Sequence, residues 1–339
     1  MRIVFVDDSA VYDGYSPPAQ ALDGPERSLA HLAPALAMRG HEVTVINRAA
    51  FPVTVDGSRW ITWLGERPAD ADAIVAFRRG ELLDTLPASR HVLWAAGPAA
   101  FLRDPSGSAS LVRHRARAVF LNKAQREAWP DGLGLEARVI EPGVGSSFLE
   151  ETPMMPGEVP VAITTMHPLG GLDWLVKLWT ARIRPQAPTA ELHIYSGVLD
   201  RGVLGGGVPP EYASVFDTVT AGRAQGVVVK RPLAEPGMAD AYRAARVYLH
   251  PGPELHGFAV ADAQATGLPA VARPGAAVSE RIVDRETGVI AATDSAFADA
   301  ACELLNDRVA FDRMSANARL LRRGRTWAIA AAEWEEILA

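Results

Sequence analysis

Short β-branched runs alternate with stretches of helical spacing along this chain, stop at a proline-rich break, and then begin again. Residues 2–6 (RIVFV) read as a buried strand. Residues 26–38 place Leu29, Leu32, Ala33 and Leu36 at helical spacing, with Gly40 as the C-cap. Further strand runs lie at 42–46, 73–77, 91–94, 118–121 and 138–141. Residues 150–160 carry three prolines and read as a linker. The pattern then resumes, with strands at 161–165, 191–195, 226–230, 247–250 and 270–272. Helices are expected at 172–182, 238–245 and 259–266, a Gly/Pro-rich loop at 201–210, and helix from Ser295 onward. Strand–helix–strand spacing of this kind predicts parallel pairing through crossover helices. The expected fold class is therefore α/β: two Rossmann-like domains whose parallel sheets face a central cleft. Ligands bind outside the carboxyl ends of such strands.

Length and composition agree with this and remove several alternatives. A chain of 339 residues accommodates two domains, and 48% hydrophobic with 22% charged residues excludes global disorder. A net charge of −6 argues against nucleic acid as a partner. Cys302 is the only cysteine, so it is expected as a small buried side chain, with no intrachain disulfide and no cysteine zinc cluster. The opening MRIVFVDD lacks the layout of a signal peptide, and no run reaches the ~18 apolar residues of a membrane span. A cytoplasmic protein is expected. The histidines show no HExxH spacing, and adjacent Asp7 and Asp8 point apart on a strand, so no metal site is expected. The first strand is not followed by GxGxxG, the Gly202–Gly207 loop lacks a following Lys-Ser/Thr, and no GxSxG occurs.

The most informative stretch is HPGPELHGFAVADAQATGLPAVA, residues 250–272. A strand ends at His250, a Pro/Gly loop leads to Glu254, and a helix begins near Gly257 and Phe258, with Asp262 about one turn inside. Glycine lets backbone amides approach a phosphate, and a helix N-terminus favours an anion. Two acids beside such a site can accept hydrogen bonds from sugar hydroxyls. From the residues alone, two solvated acids, one in a loop and one in the first helical turn, fit the same pattern.

This stretch resembles the donor-binding segment of glycosyltransferase family 4, within the GT-B fold: an acid, seven residues, a second acid, a small-residue run, then Gly-x-Pro. Here these are Glu254, Asp262 and Gly267-Leu-Pro269, continuing through Gly275, Glu280, Ile282-Val283 and Thr287-Gly288-Val289. Gly24-Pro25-Glu26-Arg27, Arg39-Gly40-His41-Glu42-Val43, Glu141-Pro142-Gly143-Val144 and Gly171-Leu172-Asp173-Trp174-Leu175 resemble other family segments. Residues 327–338 resemble the final helix, which in this fold returns to the first domain. The resemblance implies an acceptor-side domain of residues 1–150 plus 326–339 and a nucleotide-sugar domain of residues 151–325.

Roles follow position by position. The resemblance implies that Asp262 accepts from ribose hydroxyls and that Glu254, the catalytic candidate, sits by the donor sugar. Backbone amides of His256, Gly257 and Phe258 would line sugar and diphosphate. Arg231 and Leu233 would flank the base, and Thr165 would touch phosphate. Gly24, Glu26 and Arg273 are candidates for the acceptor or phosphate side. The implied reaction is transfer of a sugar, with retention, from a nucleotide-diphosphate donor to a sugar, lipid or small-molecule acceptor. It needs no metal or other cofactor, because cationic side chains and helix dipoles can neutralise the leaving diphosphate.

Three positions depart from the family pattern. Relatives often carry a basic residue where this chain has Gly170, and a polar residue near Ala96 and Gly97. Asp262 stands where a longer glutamate is usual. A degenerate protein that binds nucleotide without transferring sugar is thus a second reading. A sugar-nucleotide epimerase or phosphorylase is a third, weakened for the phosphorylase by the presence of only three lysines, Lys123, Lys177 and Lys230. The basic clusters Arg113–Arg117 and Arg319–Arg325 read as solvated helix faces, or as peripheral contacts to an anionic lipid surface.

Overall fold

β1 (Arg2–Val6), β2 (Glu42–Asn47), β5 (Ala71–Phe77) and β6 (Ala88–Trp94) form the centre of the first sheet. They are flanked by β3 (Val53–Val55), β4 (Ser58–Thr62), β7 (Arg117–Phe120) and β8 (Ala137–Val139), in the order β3-β4-β2-β1-β5-β6-β7-β8. The computed structural model describes residues 1–97, 105–129 and 134–339. It divides into one unit of Met1–Gly145 with Arg325–Ala339 and another of Ser146–Gly324.

In the first unit every strand pair is parallel except β3–β4. Ile3 to Val6 are buried on both faces, as expected where crossover helices cover a parallel sheet. The antiparallel β3–β4 hairpin was not expected. Its signal is Asp56-Gly57, with φ of 44° and 83°, the positive pair that a tight hairpin turn demands. The helix Gly24–Met38 starts two residues before the reading, because Gly24 and Pro25 can occupy a first turn that needs no amide partners. The helix Trp327–Leu338 packs in this same unit. Its Trp334 meets Trp94 edge-on at 4.9 Å and Phe5 at 6.3 Å.

The second sheet consists of β9 (Val161–Thr164), β10 (Glu191–Tyr195), β11 (Val227–Lys230), β12 (Val247–His250), β13 (Ala270–Ala272) and β14 (Gly288–Ile290). Its order is β11-β10-β9-β12-β13-β14, with all pairs parallel. This is the doubly wound order, and its direction reverses between β9 and β12. The helix expected at 172–182 is α-helical over Leu172–Leu178 and continues as a wider π turn over Trp179–Ile183. Helix Gly197–Val203 takes up the start of the expected Gly/Pro loop. Cys302 is buried, as expected. No helix among the described residues is long and apolar enough to cross a membrane.

Arg319 and Arg322 depart from the solvated-face reading. Arg322 is buried, donates to Gln264 Oε1 at 3.0 Å and to the Arg281 carbonyl at 2.8 Å, and so ties its helix to the 258–282 segment. Arg319 donates to the Thr266 carbonyl at 2.7 Å. Helical periodicity cannot distinguish such arginines, because their acceptors lie far away in sequence.

Trp334 is 1% exposed and wedged among aromatic neighbours. Trp334→Ala should lower unfolding stability by about 3–5 kcal/mol through lost burial and the cavity left behind. A urea titration that shows a loss below about 1 kcal/mol would contradict this packing account.

Candidate functional site

Thr165 follows β9, and the 251–257 loop follows β12, so both leave the sheet at its reversal point. The wholly buried Tyr248 of β12 links them, its hydroxyl lying 3.0 Å from Thr165 Oγ1. Burial raises the Tyr248 phenol well above its ordinary value, and the nearby charges of Glu254 and Asp262 push the same way. The Tyr248 hydroxyl thus bonds Thr165 and lies within reach of the charges of Glu254 and Asp262.

Glycines set the backbone here. A side chain at Gly252 would run into the Gly170 carbonyl, and Gly171 is left-handed (φ 98°), its Cβ direction blocked by the Pro251 carbonyl at 3.0 Å. The 167–171 and 251–252 loops thus touch main chain to main chain. At Gly170 a Cβ would meet the His167 carbonyl at 3.0 Å and Met166 Cε at 3.1 Å, so the site is tight for any side chain. Gly257 has φ 69° and directly precedes helix Phe258–Thr266, and a Cβ there would lie 2.9 Å from Arg281 Cγ. This left-handed residue turns the chain so that the amides of Gly257 and Phe258 serve Glu254.

Glu254 is not a solvated loop acid. Its Oε2 is buried without a hydrogen-bond partner among the described residues. Burial is the main cause that raises its pKa to about 7. The Gly257 amide pulls it down, the Asp262 charge pushes it up, and the Phe258 amide pulls it down. Asp262 is 5% exposed, so it is not a solvated first-turn acid either. The loop acid also faces a group that the sequence reading passed over. His250 is fully buried, neither ring nitrogen has a full hydrogen bond among the described residues, and its Nε2 lies 3.9 Å from Glu254 Oε2. Burial drives its pKa down to about 4, with the Gly252 main chain opposing. His256 stacks at a tilt on Phe258 at 5.3 Å, and its carbonyl accepts from Arg281.

The other candidates lie apart. Arg231 and Leu233 line an open hollow of about 310 Å³ with His193, Tyr195 and Lys230, beside the ends of β10 and β11. Arg273, one residue beyond β13, stacks its guanidinium 4.6 Å above the Trp174 ring. Gly24 and Glu26 are in the first unit, in the opening turn of Gly24–Met38. Glu26 is 6% exposed, and its Oε1 pairs with Arg78 Nη1 at 2.7 Å. Burial raises its pKa, and Arg78 opposes this. Beside them the buried Asp7 accepts from Tyr12 Oη at 2.6 Å.

Solved structures share this architecture from end to end. Sucrose-phosphate synthase from Thermosynechococcus elongatus aligns at a TM-score of 0.75 with 14% identity, covering 99% of this chain and 98% of that one. Anabaena HepE in complex with UDP and glucose aligns at 0.71 with 14% identity, covering 100% and 99%. A glycosyltransferase from Rickettsia africae ESF-5 aligns at 0.71 with 13% identity, covering 99% and 97%. The fold is that of the GT-B glycosyltransferases. Residues 158–307, which lie within the second unit, match the family model Glycosyl transferases group 1. No curated protein sequence matches the chain.

Glu254 and His250 shift in opposite directions, which yields a test. Between pH 4.5 and about 7 the folded protein holds a proton on Glu254 that the unfolded chain has lost, so this group lowers stability as pH rises. Between about 4 and 6.5 folded His250 lacks a proton that the unfolded chain holds, so this group raises stability with pH. Relative to the parent, Glu254→Gln should gain stability as pH rises through this window, and His250→Asn should lose it. Urea midpoints at several pH values, with both differences flat, would refute the assignment.

Proposed function

We propose that this chain transfers a sugar from a nucleotide-diphosphate donor to a hydroxyl-bearing acceptor, with retention of anomeric configuration. The observation that carries the reading is the pairing of Glu254 and Asp262 around the left-handed turn at Gly257, within the group 1 domain. In this reading the C-terminal unit binds the donor and the N-terminal unit serves the acceptor. Asp262 accepts from the ribose hydroxyls. Glu254 meets the donor sugar's hydroxyls, and a carboxyl poised near neutrality can accept from or donate to them. Amides of His256, Gly257 and Phe258 line sugar and diphosphate at a helix N-terminus. The base lies by Arg231 and Leu233, and Thr165 meets a phosphate oxygen. Gly24, Glu26 and Arg273 belong to the acceptor or phosphate side.

The bond from the anomeric carbon to the diphosphate breaks with its electron pair on the phosphate oxygen. The acceptor oxygen attacks from the same face, and its proton passes to the departing diphosphate. Neither metal nor other cofactor is required, since helix dipole, backbone amides and arginine neutralise the leaving charge. We place the protein in the cytoplasm, with a lipid-linked acceptor and peripheral membrane contact as one version of the reading. Hexose is the expected sugar, and polysaccharide assembly the expected setting.

A second reading, nucleotide binding without transfer, draws on Gly170, where the tight backbone leaves little room for a cationic side chain. Loss of one charge-assisted contact to the leaving group costs roughly 1.5–3 kcal/mol.

Calorimetry against UDP, GDP, ADP and dTDP separates the readings. One nucleotide should bind, and Asp262→Ala should weaken it by roughly tenfold or more. Absence of binding by all four would overturn both readings. If a nucleotide binds, donor turnover that falls at least ~100-fold in Glu254→Gln supports the enzyme, whereas no turnover in the parent supports the binder.

A further inference from the structure

β12 ends in a histidine that the fold seals from water without satisfying it. The His250 ring is wholly buried, and neither nitrogen makes a full hydrogen bond among the described residues. Such a group costs stability, so its retention calls for a physical account. The backbone that carries it is fixed. His250 pairs with Ala272 of β13, and its carbonyl accepts from the Arg273 amide at 3.0 Å. The ring therefore has a set position, and Glu254 lies opposite it, with Oε2 3.9 Å from His250 Nε2.

The two facing atoms are both orphans, since Glu254 Oε2 is also buried without a hydrogen-bond partner among the described residues. The Glu254 side chain is nevertheless 24% exposed, so solvent reaches it away from Oε2. Burial and the Asp262 charge, from helix Phe258–Thr266, favour the neutral acid, while the Gly257 and Phe258 amides favour the carboxylate. Tyr248 stands on the strand of His250, its ring 6.3 Å away, and its hydroxyl is engaged with Thr165. On the other side of the imidazole, the Gly252 main chain favours a proton on the ring. With Nε2 turned toward Glu254, that proton belongs on Nδ1, which leaves Nε2 as an acceptor.

We propose that His250 is a positioning residue: its Nε2 accepts the proton carried on Glu254 Oε2 and so turns the carboxyl to present Oε1 to the donor sugar. The proposal rests on the glycosyltransferase reading and adds a residue to it. A turn of the carboxyl group closes the gap of 3.9 Å, as hydrogen bonds in unliganded sites tighten when the ligand arrives. No bond between heavy atoms is made or broken. The proton stays between Oε2 and Nε2, and the pair remains neutral as a whole. An apolar residue in place of His250 would bury Glu254 equally well but leave Oε2 with no acceptor for its proton.

Long-range proton–nitrogen NMR of the histidine rings, on the full chain from about pH 5 to 8, tests this without any nucleotide, and His250→Gln identifies the His250 signals. Nδ1 should carry the proton, and Nε2 should show an acceptor's shift that moves as Glu254 titrates near pH 7. Glu254→Gln should abolish that movement. A proton on Nε2, or an Nε2 shift indifferent to Glu254, would overturn the proposal. Donor turnover supplies a second readout. His250→Phe fills the space without an acceptor, so kcat should fall roughly tenfold while Kd for UDP stays within about twofold of the parent. His250→Gln, whose amide oxygen takes the proton, should recover most of that loss. A packing role would instead make activity follow the urea midpoint. Equal kcat in the parent and His250→Phe, or equal losses in the two variants, would count against the acceptor role decisively. If His250→Phe does not fold, the NMR result on the parent decides. If the parent binds no nucleotide, the donor reading fails, while the NMR result on the His250–Glu254 pair stands or falls alone.

Discussion

The left-handed turn at Gly257 is the constraint on which the C-terminal site depends. Any side chain there would strike Arg281, which is itself 4% exposed and locked to the His256 and Arg322 segments. The turn lets a buried strand pass through a short loop into a helix whose first amides serve Glu254. Without it, the carboxylate would lose the two amides that serve it and keep only the neutral His250 ring and the Asp262 charge nearby, and its burial would go uncompensated. Gly170, Gly171 and Gly252 extend the same principle, since two loops can approach main chain to main chain only where neither carries a Cβ.

Burial then sets the chemistry. Glu254 and His250 face each other in a place with few partners, and desolvation pushes both toward their uncharged forms. A neutral acid beside a neutral imidazole avoids two buried charges while leaving a carboxyl that titrates near pH 7. The N-terminal unit makes a different choice. Glu26 is also buried and raised, but it retains a cation, Arg78, held at the expense of a strained backbone.

Much of this was legible from residues. β1, β12 and β13 read directly, because a parallel strand covered on both faces is a nearly uninterrupted apolar run. The helix start at Gly257–Phe258 was legible from glycine next to a helical pattern. The β3–β4 hairpin carried a readable Asp56-Gly57 signal that the search for alternating strand and helix passed over. Other features had no local signature. Arg322 sits in a run of arginines that looks solvated, and its partners Gln264 and Arg281 lie 58 and 41 residues away. His250 looks like an ordinary strand-end residue until the fold buries its ring and sets it opposite Glu254.

By itself, then, the sequence determined the strand–helix rhythm and the spacing of Glu254 from Asp262, since periodicity and glycine placement act over a few residues. Only the tertiary structure decided which of those acids lose water, which arginine meets which carboxylate, and that Arg78 lies across the turn at Ala96. Those outcomes depend on contacts between distant segments. Desolvation and pairing, which set charge state and reactivity, are properties of such contacts and not of any single stretch of chain.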